Sequence, residues 1–383
     1  MEKHLSIYVH IPFCNSKCFY CNFCSSKENL QTQKRFFKAI ENEIKEKKDK
    51  FSNYVVKTIY FGGGTPSSVS EKQIVKLLTL IKKSFNVSKD SEITIEANPN
   101  SLSFQKLTAY KKAGFNRLSI GVQTFNKKSL LFVGRLQTKQ QANEYKRKVI
   151  LGLSEAKHAG FSNISADFIL GLPFQKTHEI SKFLKQISPF VTHFSCYMLQ
   201  VEKGTKLFSL LDGKLNENLI LKQYERAVKT LRNLNFKRYE ISNFARPNFE
   251  SKHNSVYWQR KNYVGFGPSA SSFFSQTRTT NTNSLKEYIE FWENEKPNLK
   301  KEPVFREKLS KEQEAEEVIL LSLRTIEGLN LLEFNKNFYD FNKKNGKTLE
   351  KLINLDLIEI KNGFLKLTDK GVLLENSIIL ELI

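Results

Sequence analysis

No run of about 18 apolar residues, the length that a helix needs to cross a bilayer, occurs in this sequence of 383 residues. Residues 1–4 lead directly into a strand-like segment, without the apolar stretch of a signal peptide. The cysteines are not spread along the chain either, since four of the five lie between Cys14 and Cys24. So tight a cluster excludes a disulfide framework and indicates a metal site in a reducing compartment. We therefore expect a folded, cytoplasmic protein with at most peripheral membrane contact.

Acidic residues are scarce, because 39 Asp and Glu stand against 61 Lys and Arg, for a formal charge of +22. Such a charge can indicate a nucleic-acid partner. The basic residues are nevertheless scattered along the whole chain, and a cluster such as 45–50 is interrupted by acids on a predicted helix. That distribution is typical of a solvated protein surface. We predict no nucleic-acid partner.

Strand-like and helix-like segments alternate over the first 200 residues or so. The predicted strands are 7–9, 55–61, 93–96, 117–122, 164–170 and 192–198. The predicted helices lie near 33–48, 70–84, 103–113, 139–159 and 177–187. This alternation predicts an α/β fold with a parallel sheet, and six units are too few for a closed eight-stranded barrel. We expect an open, partial (β/α)6 barrel.

The chain after the barrel divides into two further parts. The predicted domains are the barrel over 1–245, a connecting segment over 246–284 and a C-terminal domain over 285–383. The last part contains predicted helices at 312–325, 331–338 and 349–355, strands at 357–360 and 364–367, and a final helix from Asp369. The dipeptide Asn362-Gly363 between the two strands predicts a type I′ turn. This order predicts a small α+β, winged-helix-like domain, which we expect to act as a lid or docking element rather than in DNA binding.

The strongest motif is a Cys-x3-Cys-x2-Cys loop, formed by Cys14, Cys18 and Cys21 directly after the first predicted strand. Parallel α/β sheets place functional groups at the carboxyl ends of their strands, so three thiols converge where chemistry is expected. Iron–sulfur clusters are held by cysteine thiolates, normally four, so three ligands would leave one iron open. The alternative is a zinc knuckle with Cys24 or a histidine as fourth ligand.

This spacing, with the aromatic Tyr20 just before the third cysteine, resembles the signature of the radical S-adenosylmethionine (SAM) family. The resemblance implies a [4Fe-4S] cluster held by Cys14, Cys18 and Cys21, with Cys24 as a neighbour that is not a ligand. It further implies that the amino and carboxylate groups of SAM bind the open iron, and that the reduced cluster cleaves the sulfonium to methionine and a 5′-deoxyadenosyl radical. An electron donor such as flavodoxin or ferredoxin is then an expected partner. No catalytic residue beyond the cluster ligands is predicted.

Further stretches resemble one branch of that family, the coproporphyrinogen dehydrogenase-like proteins, which include the anaerobic oxidase and the HemW haem chaperones. The matching stretches are 8–14, 62–67, 96–99, 117–125, 134–135 and 167–173. Glycines at 62–64 allow a ligand to approach the backbone, and carboxylates such as Glu96 and Asp167 can accept hydrogen bonds from ribose hydroxyls. In this branch the matched positions that contact SAM are Tyr8, Gly63, Gly64, Thr65, Glu96, Gln123, Arg135 and Asp167.

Two features favour the haem chaperones within this branch. Phe23 stands where the oxidase carries a fourth cysteine, and 253–258 read His-Asn-Ser-Val-Tyr-Trp, the HNxxYW motif of HemW-like proteins. The resemblance then implies haem as cargo, delivery to a haem-accepting protein, and His253 as a haem ligand, since imidazole commonly ligates haem iron. The alternative for His253 is that it only packs or caps its loop.

The alternative function is that of an oxygen-independent coproporphyrinogen III dehydrogenase, which converts propionate side chains to vinyl groups and yields protoporphyrinogen IX. The sequence does not decide whether the protein is an enzyme or whether bound SAM is cleaved. Two departures from the branch stand out. Gln137 replaces a usual histidine, and 265–271 lacks the Cys and His that relatives often carry in a GxGxxAH stretch. The side chains that are missing at these positions could have transferred a proton or ligated a metal.

Overall fold

Six parallel strands form the centre of the protein in a computed structural model that describes residues 2–294 and 296–383. They are β1 (Lys3–Ile11), β2 (Tyr54–Gly63), β3 (Asn86–Ala97), β4 (Arg117–Gln123), β5 (Asn163–Leu170) and β6 (His193–Met198). They lie side by side in chain order, each parallel to the next. The predicted run of six βα units in a partial barrel is therefore confirmed.

The connecting helices cover this sheet with their apolar faces. They are α1 (Leu30–Lys47), α2 (Glu71–Ser84), α3 (Phe104–Ala113), α4 (Lys127–Phe132), α5 (Lys139–His158) and α6 (Thr177–Ile187). In α6 the buried residues Ile180, Phe183, Leu184 and Ile187 recur at helical spacing and make one core-facing stripe. Of these six helices, only the short α4 was not predicted.

Capping residues in the sequence explain where several helices begin and end. Ser103 accepts a hydrogen bond from the backbone of α3 at its start, and Gly114 ends the helix with a left-handed φ of 103°. Thr138 and Gln141 form a capping box at the start of α5. Gly114 thereby stops α3 just before β4, and Gly160, with a left-handed φ of 94°, lies between the end of α5 and β5.

Two more helices and two short strands follow β6. They are α7 (Lys206–Leu211), α8 (Glu217–Asn233), β7 (Lys237–Arg238) and β8 (Asn243–Ala245). The strand β8 runs antiparallel to β6, and β7 forms that edge of the sheet. The parallel part of the sheet therefore ends at β6.

The predicted connecting segment, 246–284, joins the same sheet at its other side. It and the residues after it contain α9 (Lys252–Trp258), β9 (Tyr263–Phe266), β10 (Ser271–Phe274), β11 (Thr277–Asn281), α10 (Leu285–Trp292) and β12 (Val304–Lys308). The strand β9 pairs in parallel with β1, and β10, β11 and β12 continue outward as antiparallel strands. The sheet thus extends to Lys308, past the predicted boundary at 285.

The rest of the chain has a hydrophobic cluster of its own that begins at Ala315. Its elements are α11 (Lys311–Leu323), β13 (Leu329–Asn330), α12 (Leu331–Asn337), α13 (Phe341–Asn354), β14 (Ile358–Lys361), β15 (Phe364–Leu367) and α14 (Glu375–Leu382). Asn362 and Gly363 both have positive φ, 52° and 79°, as the predicted type I′ turn requires. Two predicted boundaries were wrong, because α13 already begins at Phe341 and the last helix begins only at Glu375, after a 3-10 turn.

This C-terminal unit contacts the barrel through backbone hydrogen bonds. The amide of Ile241 donates to the carbonyl of Arg324 at 3.1 Å, and the amide of Ile326 donates to the carbonyl of Tyr239 at 3.2 Å. Beside this contact lies a cleft of about 910 Å³. We call it the C-terminal cleft and define it by Tyr239, Ser255, Trp258, Lys311, Phe334 and Phe338.

Within residues 2–294 and 296–383, no helix combines the length and the apolar character needed to span a bilayer.

Candidate cofactor site

The carboxyl ends of the barrel strands surround a cavity of about 570 Å³. We call it the barrel cavity. Of the residues predicted to hold a cofactor or metal, all but Tyr8 and His253 line it: Cys14, Cys18, Cys21, Gly63, Gly64, Thr65, Glu96, Gln123, Arg135 and Asp167. The parallel order of the strands brings these residues together, since it places every loop that follows a strand at the same end of the sheet.

The cysteine loop is held in place at both its ends. The amide of Cys14 donates to the carbonyl of Ser26 at 3.0 Å, and the amide of Ser26 donates to that of Pro12 at 2.9 Å. The Cys14 thiol lies 3.3 Å from the Thr65 hydroxyl, and the Arg135 guanidinium lies 3.9 Å from the Cys18 sulfur. All three thiols therefore line the cavity, with the Thr65 hydroxyl beside Cys14 and the Arg135 guanidinium near Cys18.

Two of the three thiols are partly buried, which affects their protonation. Burial raises the pKa of the Cys14 and Cys21 thiols, so both hold a proton until a metal displaces it. In the described part of the chain, no three His, Cys, Asp or Glu side chains lie close enough to coordinate one metal ion. The four ligands of a zinc knuckle share one ion, whereas the thiolates of a cluster bind different irons.

Cys24 faces away from the barrel cavity. Its thiol donates to the carbonyl of Asn283 at 3.3 Å, and its own carbonyl lies 2.8 Å from Nε2 of His10. Cys24 therefore joins the end of the cysteine loop to the segment after β11. This placement supports the interpretation of Cys24 as a residue that is not a ligand.

The glycines at the end of β2 are required because other parts of the chain pack closely against them. A Cβ on Gly64 would lie 2.7 Å from the carbonyl oxygen of Phe13, and one on Gly63, which has a φ of 107°, would lie 2.6 Å from the His10 ring. The amide of Gly64 donates to the carbonyl of Ile11 at 2.9 Å, and that of Thr65 donates to the carbonyl of Phe13 at 2.7 Å. The glycine loop is thus paired with the entrance to the cysteine loop.

Glu96 projects into the cavity from the end of β3. The Tyr60 hydroxyl donates to its Oε1 at 2.7 Å. Burial raises the pKa of the Glu96 carboxyl to about 7, against the hydrogen bond from Tyr60. Near neutral pH this carboxyl can therefore either donate or accept a hydrogen bond, which suits a ligand hydroxyl.

Asp167 is held by hydroxyl groups from three neighbouring strands. Ser195 and Ser165 donate to its Oδ1 at 2.7 and 3.0 Å, and Ser119 donates to its Oδ2 at 2.9 Å. Burial raises the pKa of the Asp167 carboxyl, and the three hydroxyls and the Arg117 charge oppose that rise. The carboxylate is thereby fixed in orientation before any ligand binds.

The residues that line the cavity without having been predicted as contacts include four polar residues of the strands: Tyr60, Arg117, Ser119 and Ser195. Arg117 is 2% exposed, and the neighbouring carboxylates Glu92 and Asp167 and the Tyr60 and Tyr239 hydroxyls keep its pKa high despite its burial. The signal that could have revealed these residues is their polarity at interior positions of otherwise apolar strands.

Arg135 lies at the rim between the cysteine loop and β4. Its Nη2 donates to the carbonyl of Gly121 at 2.5 Å, and within the described chain its buried Nε has no hydrogen-bond partner. Burial lowers the pKa of Arg135, but Tyr145, Tyr20 and Cys18 outweigh that effect and raise it. Gln123 adopts a left-handed φ of 67° where the pairing of β4 with β5 shifts register. The irregular end of β4 turns Gln123 toward the cavity, which Arg135 reaches from the loop between α4 and α5.

Tyr8 lies one layer behind the barrel cavity. Its ring stacks on that of Tyr60, with centroids 6.2 Å apart, and its hydroxyl lies 3.1 Å from Nδ1 of His10. Tyr8 is not among the residues that line the cavity, and its contact with SAM stays a prediction. Tyr8 supports Tyr60, which does line the cavity.

His253 is buried and has partners on both ring nitrogens. It is 1% exposed, its Nδ1 lies 2.7 Å from the Thr58 hydroxyl and its Nε2 lies 2.9 Å from the Tyr257 hydroxyl. Burial lowers its pKa to about 3, so the ring is neutral. The predicted role of His253 as a haem ligand does not fit this arrangement, because neither nitrogen is free to reach iron. The geometry favours the alternative that His253 packs and holds its segment.

The two departures from the branch have structural roles here. The Gln137 side chain donates to the carbonyl of Gly134 at 3.1 Å, so it closes the turn before α5. In the stretch 265–271, a Cβ on Gly265 would lie 2.3 Å from the carbonyl oxygen of Ser271, and one on Gly267 would lie 2.5 Å from that of His10. The stretch is therefore shaped by tight packing of backbone against β1.

Comparisons with known proteins identify the same two parts of the chain. A profile of the radical SAM superfamily matches residues 8–187, and one of the HemN C-terminal domain matches residues 309–374. The solved structure of coproporphyrinogen III oxidase (HemN) from Escherichia coli superposes with a TM-score of 0.82 at 24% identity, covering 100% of this chain and 90% of that one. That likeness shows that the two chains share a fold.

The similarity to curated proteins extends over nearly the whole chain. Heme chaperone HemW of Bacillus subtilis (strain 168) is 34% identical over 382 residues, 97% of each chain. Heme chaperone HemW of Lactococcus lactis is also 34% identical, over 99% of this chain and 97% of its own. With the superfamily profile over the cysteine loop and strands, this similarity shows that the chain belongs to the radical SAM superfamily and, within it, to the HemW family.

Proposed function

We propose that this protein holds a [4Fe-4S] cluster on Cys14, Cys18 and Cys21, binds SAM in the barrel cavity, and acts as a haem chaperone that delivers haem to an acceptor protein. The observation that carries the chaperone role is its similarity over 97% of its length to the heme chaperone HemW of Bacillus subtilis. The position of Phe23 agrees with it, since this 67% exposed side chain stands where the oxidase has a cysteine.

The donor set at the cavity supports the cluster and the SAM site. Three thiols come from one loop, and the buried Nε of Arg135 lacks a partner in the described chain and can pair with a carboxylate. Glu96 and Asp167 also line the cavity, where they can accept hydrogen bonds from ribose hydroxyls. When bound, a cluster with an open iron would supply the electron that cleaves the sulfonium of SAM.

The protein's own residues bind and orient the nucleotide. Asp167 is pre-oriented by three serine hydroxyls, so little freedom is lost when a ribose hydroxyl binds to it. Glu96, with a pKa raised to about 7, can share a proton with a second hydroxyl. The glycine loop places the backbone of Gly63 and Gly64 at the cavity, within reach of the ligand.

An electron donor would approach at the cysteine loop. The loop exposes Lys17, Asn22 and Phe23 around the thiols. A flavodoxin or ferredoxin is the kind of partner that this face suits, since both are one-electron carriers.

Haem binding and porphyrinogen turnover separate the chaperone from the dehydrogenase. We expect anaerobically reconstituted protein to bind haem with a saturable change in the Soret band, and to form no protoporphyrinogen IX from coproporphyrinogen III in the presence of SAM and reductant. Accumulation of protoporphyrinogen IX would reject the chaperone role and establish the dehydrogenase. A protein that carries its cluster but shows no saturable haem binding would reject haem as cargo.

The His253→Ala variant is expected to lose stability but not haem affinity. Removing the ring takes one partner from each of the Thr58 and Tyr257 hydroxyls, although Thr58 still donates to Ser6. It also opens a cavity beside Tyr60, for a loss of about 2–4 kcal/mol in the free energy of unfolding. Urea unfolding and haem titration at a temperature where the variant is folded measure the two effects. The exposed His178→Ala variant is the control. A lost Soret change at unaltered stability would restore His253 as the ligand.

A further inference from the structure

The barrel cavity and the C-terminal cleft are connected by one short helix. Asn254, near the start of α9, lines the barrel cavity, whereas Ser255 and Trp258 line the cleft. The first amides of α9 are anchored on the barrel, since those of Lys252 and His253 donate to the Glu92 carboxylate at 3.1 and 3.0 Å. The HNxxYW segment thus touches both spaces.

A second connection runs through the inside of the barrel as a chain of hydrogen bonds. The amide of Ser251, the residue before α9, donates to the Tyr239 hydroxyl at 3.2 Å. That hydroxyl lies 2.9 Å from Nε2 of His193, and Nδ1 of His193 lies 2.8 Å from the Ser165 hydroxyl. Ser165 reaches Oδ1 of Asp167 at 3.0 Å. Tyr239 lines the cleft and Asp167 lines the barrel cavity, so this hydrogen-bond chain joins the two.

The two ends of this hydrogen-bond chain determine its direction. A backbone amide can only donate, and an ionised carboxylate can only accept. The Ser165 hydroxyl gives its single proton to Asp167, so it accepts a hydrogen bond from Nδ1 of His193. Nε2 of the neutral His193 ring then carries no proton and accepts from the Tyr239 hydroxyl. That hydroxyl in turn accepts from the amide of Ser251. His193 is 0% exposed, and burial keeps its pKa well below the usual value, so the ring is neutral and can donate at one nitrogen while it accepts at the other.

We propose that Tyr239, His193 and Ser165 are positioning residues that orient the Asp167 carboxylate through one directed chain of hydrogen bonds. SAM affinity in the barrel cavity thereby depends on how Tyr239 is held at the C-terminal cleft. This inference rests on the proposed SAM site. None of the three residues touches the reacting atoms, and their role is to act on Asp167.

The C-terminal unit has a direct contact with the Tyr239 end of this hydrogen-bond chain. The carbonyl of Tyr239 accepts a hydrogen bond from Ile326, and the next residue, Glu240, forms a β-bridge with Thr325. A shift of this unit moves Tyr239 and weakens the first link. Coupling between two sites is reciprocal, so SAM bound to Asp167 also stabilises this contact.

The Tyr239→Phe variant tests the hydrogen-bond chain because it removes only the hydroxyl. We expect unchanged iron and sulfide content and a dissociation constant for SAM about two- to tenfold higher, the effect of one net hydrogen bond. Ser165→Ala is expected to behave alike, and Ser165→Thr, which keeps a hydroxyl, to recover most of the affinity. The matched control is Tyr224→Phe, because the Tyr224 hydroxyl is also buried but donates to the carbonyl of Ile241, outside the hydrogen-bond chain.

Two further readouts separate positioning from a loss of stability. Nitrogen NMR of the histidines is expected to show His193 protonated at Nδ1 in the wild type and a mixture of tautomers in Tyr239→Phe. SAM is expected to slow amide exchange around Thr325 in the wild type and not in that variant.

The outcomes that overturn the inference differ from those that overturn the function. Equal SAM affinity in wild type and Tyr239→Phe, or an equal loss in Tyr224→Phe, rejects the positioning role while leaving the SAM site in place. His193 protonated at Nε2 in the wild type rejects the direction of the hydrogen bonds. Wild-type protein with a full cluster that binds no SAM rejects the proposed site, and the inference with it.

Discussion

Proteins carrying Cys14→Ser, Cys18→Ser or Cys21→Ser are expected to emerge from anaerobic reconstitution almost free of iron and sulfide. Each thiolate is the protein's sole ligand to one iron of the proposed cluster, so a serine leaves that iron without an anchor. Among the described residues, no further cysteine lines the barrel cavity to replace a lost one. Iron and acid-labile sulfide assays and the electron paramagnetic resonance spectrum of dithionite-reduced protein measure the loss.

The two remaining cysteines provide matched controls for that series. Cys24 donates its thiol to the carbonyl of Asn283, and Cys196 is 0% exposed within β6. Cys24→Ser and Cys196→Ser proteins are expected to keep a full cluster whose spectrum changes when SAM is added. If Cys24→Ser removes the cluster as completely as Cys14→Ser, Cys24 is a ligand and the open iron disappears from the proposal.

The Gly64→Ala variant is expected to lose its cluster although every ligand is retained. The added Cβ would lie 2.7 and 2.9 Å from the carbonyl oxygen and nitrogen of Phe13 and 3.0 Å from the carbonyl oxygen of Ile11. All three atoms belong to backbone that leads into Cys14, so they cannot move aside as a flexible side chain would. We expect a loss of about 1–3 kcal/mol in the free energy of unfolding, together with low iron content.

Gly346→Ala makes the same chemical change where there is room for it. Gly346 lies inside α13, and a Cβ added there would have no atom within 4 Å outside its own stretch of helix. Alanine favours a helix by about 1 kcal/mol over glycine. This control is expected to be slightly more stable than the wild type and to bind iron normally. Normal iron content in Gly64→Ala would show that the two loops can separate without disturbing the thiols.

The barrel was predictable because each βα unit carries its own local signals. The strands β2 and β5 are short runs of apolar and β-branched residues, and the helices between strands have one buried stripe and recognisable caps. Parallel strands then require their loops to meet at one end of the sheet. Motif residues distant in sequence, such as Cys14, Glu96 and Asp167, could therefore be placed around one cavity from the order of the strands.

Positions whose environment comes from distant segments could not be predicted in this way. The HNxxYW motif indicated an available imidazole at His253, but its ring is enclosed by Thr58 from β2 and by Tyr257. The polar stretch 246–284 resembled a connection, yet its strand β9 pairs with β1, at the opposite end of the barrel sequence. The local sequence of these two segments does not indicate that Thr58 contacts His253 or that β1 pairs with β9.

The order of residues along the chain was enough to establish the six βα units, the set of three thiols and the glycine loop, because short-range periodicity and spacing encode them. Folding alone decided which polar groups are already satisfied and which face the cavity. It turned the Cys24 thiol away to Asn283, enclosed His253, and aligned Tyr239, His193 and Ser165 behind Asp167. Hydrogen-bond partners and burial depend on atoms that meet only after the strands have paired, so no local pattern of residues can specify them.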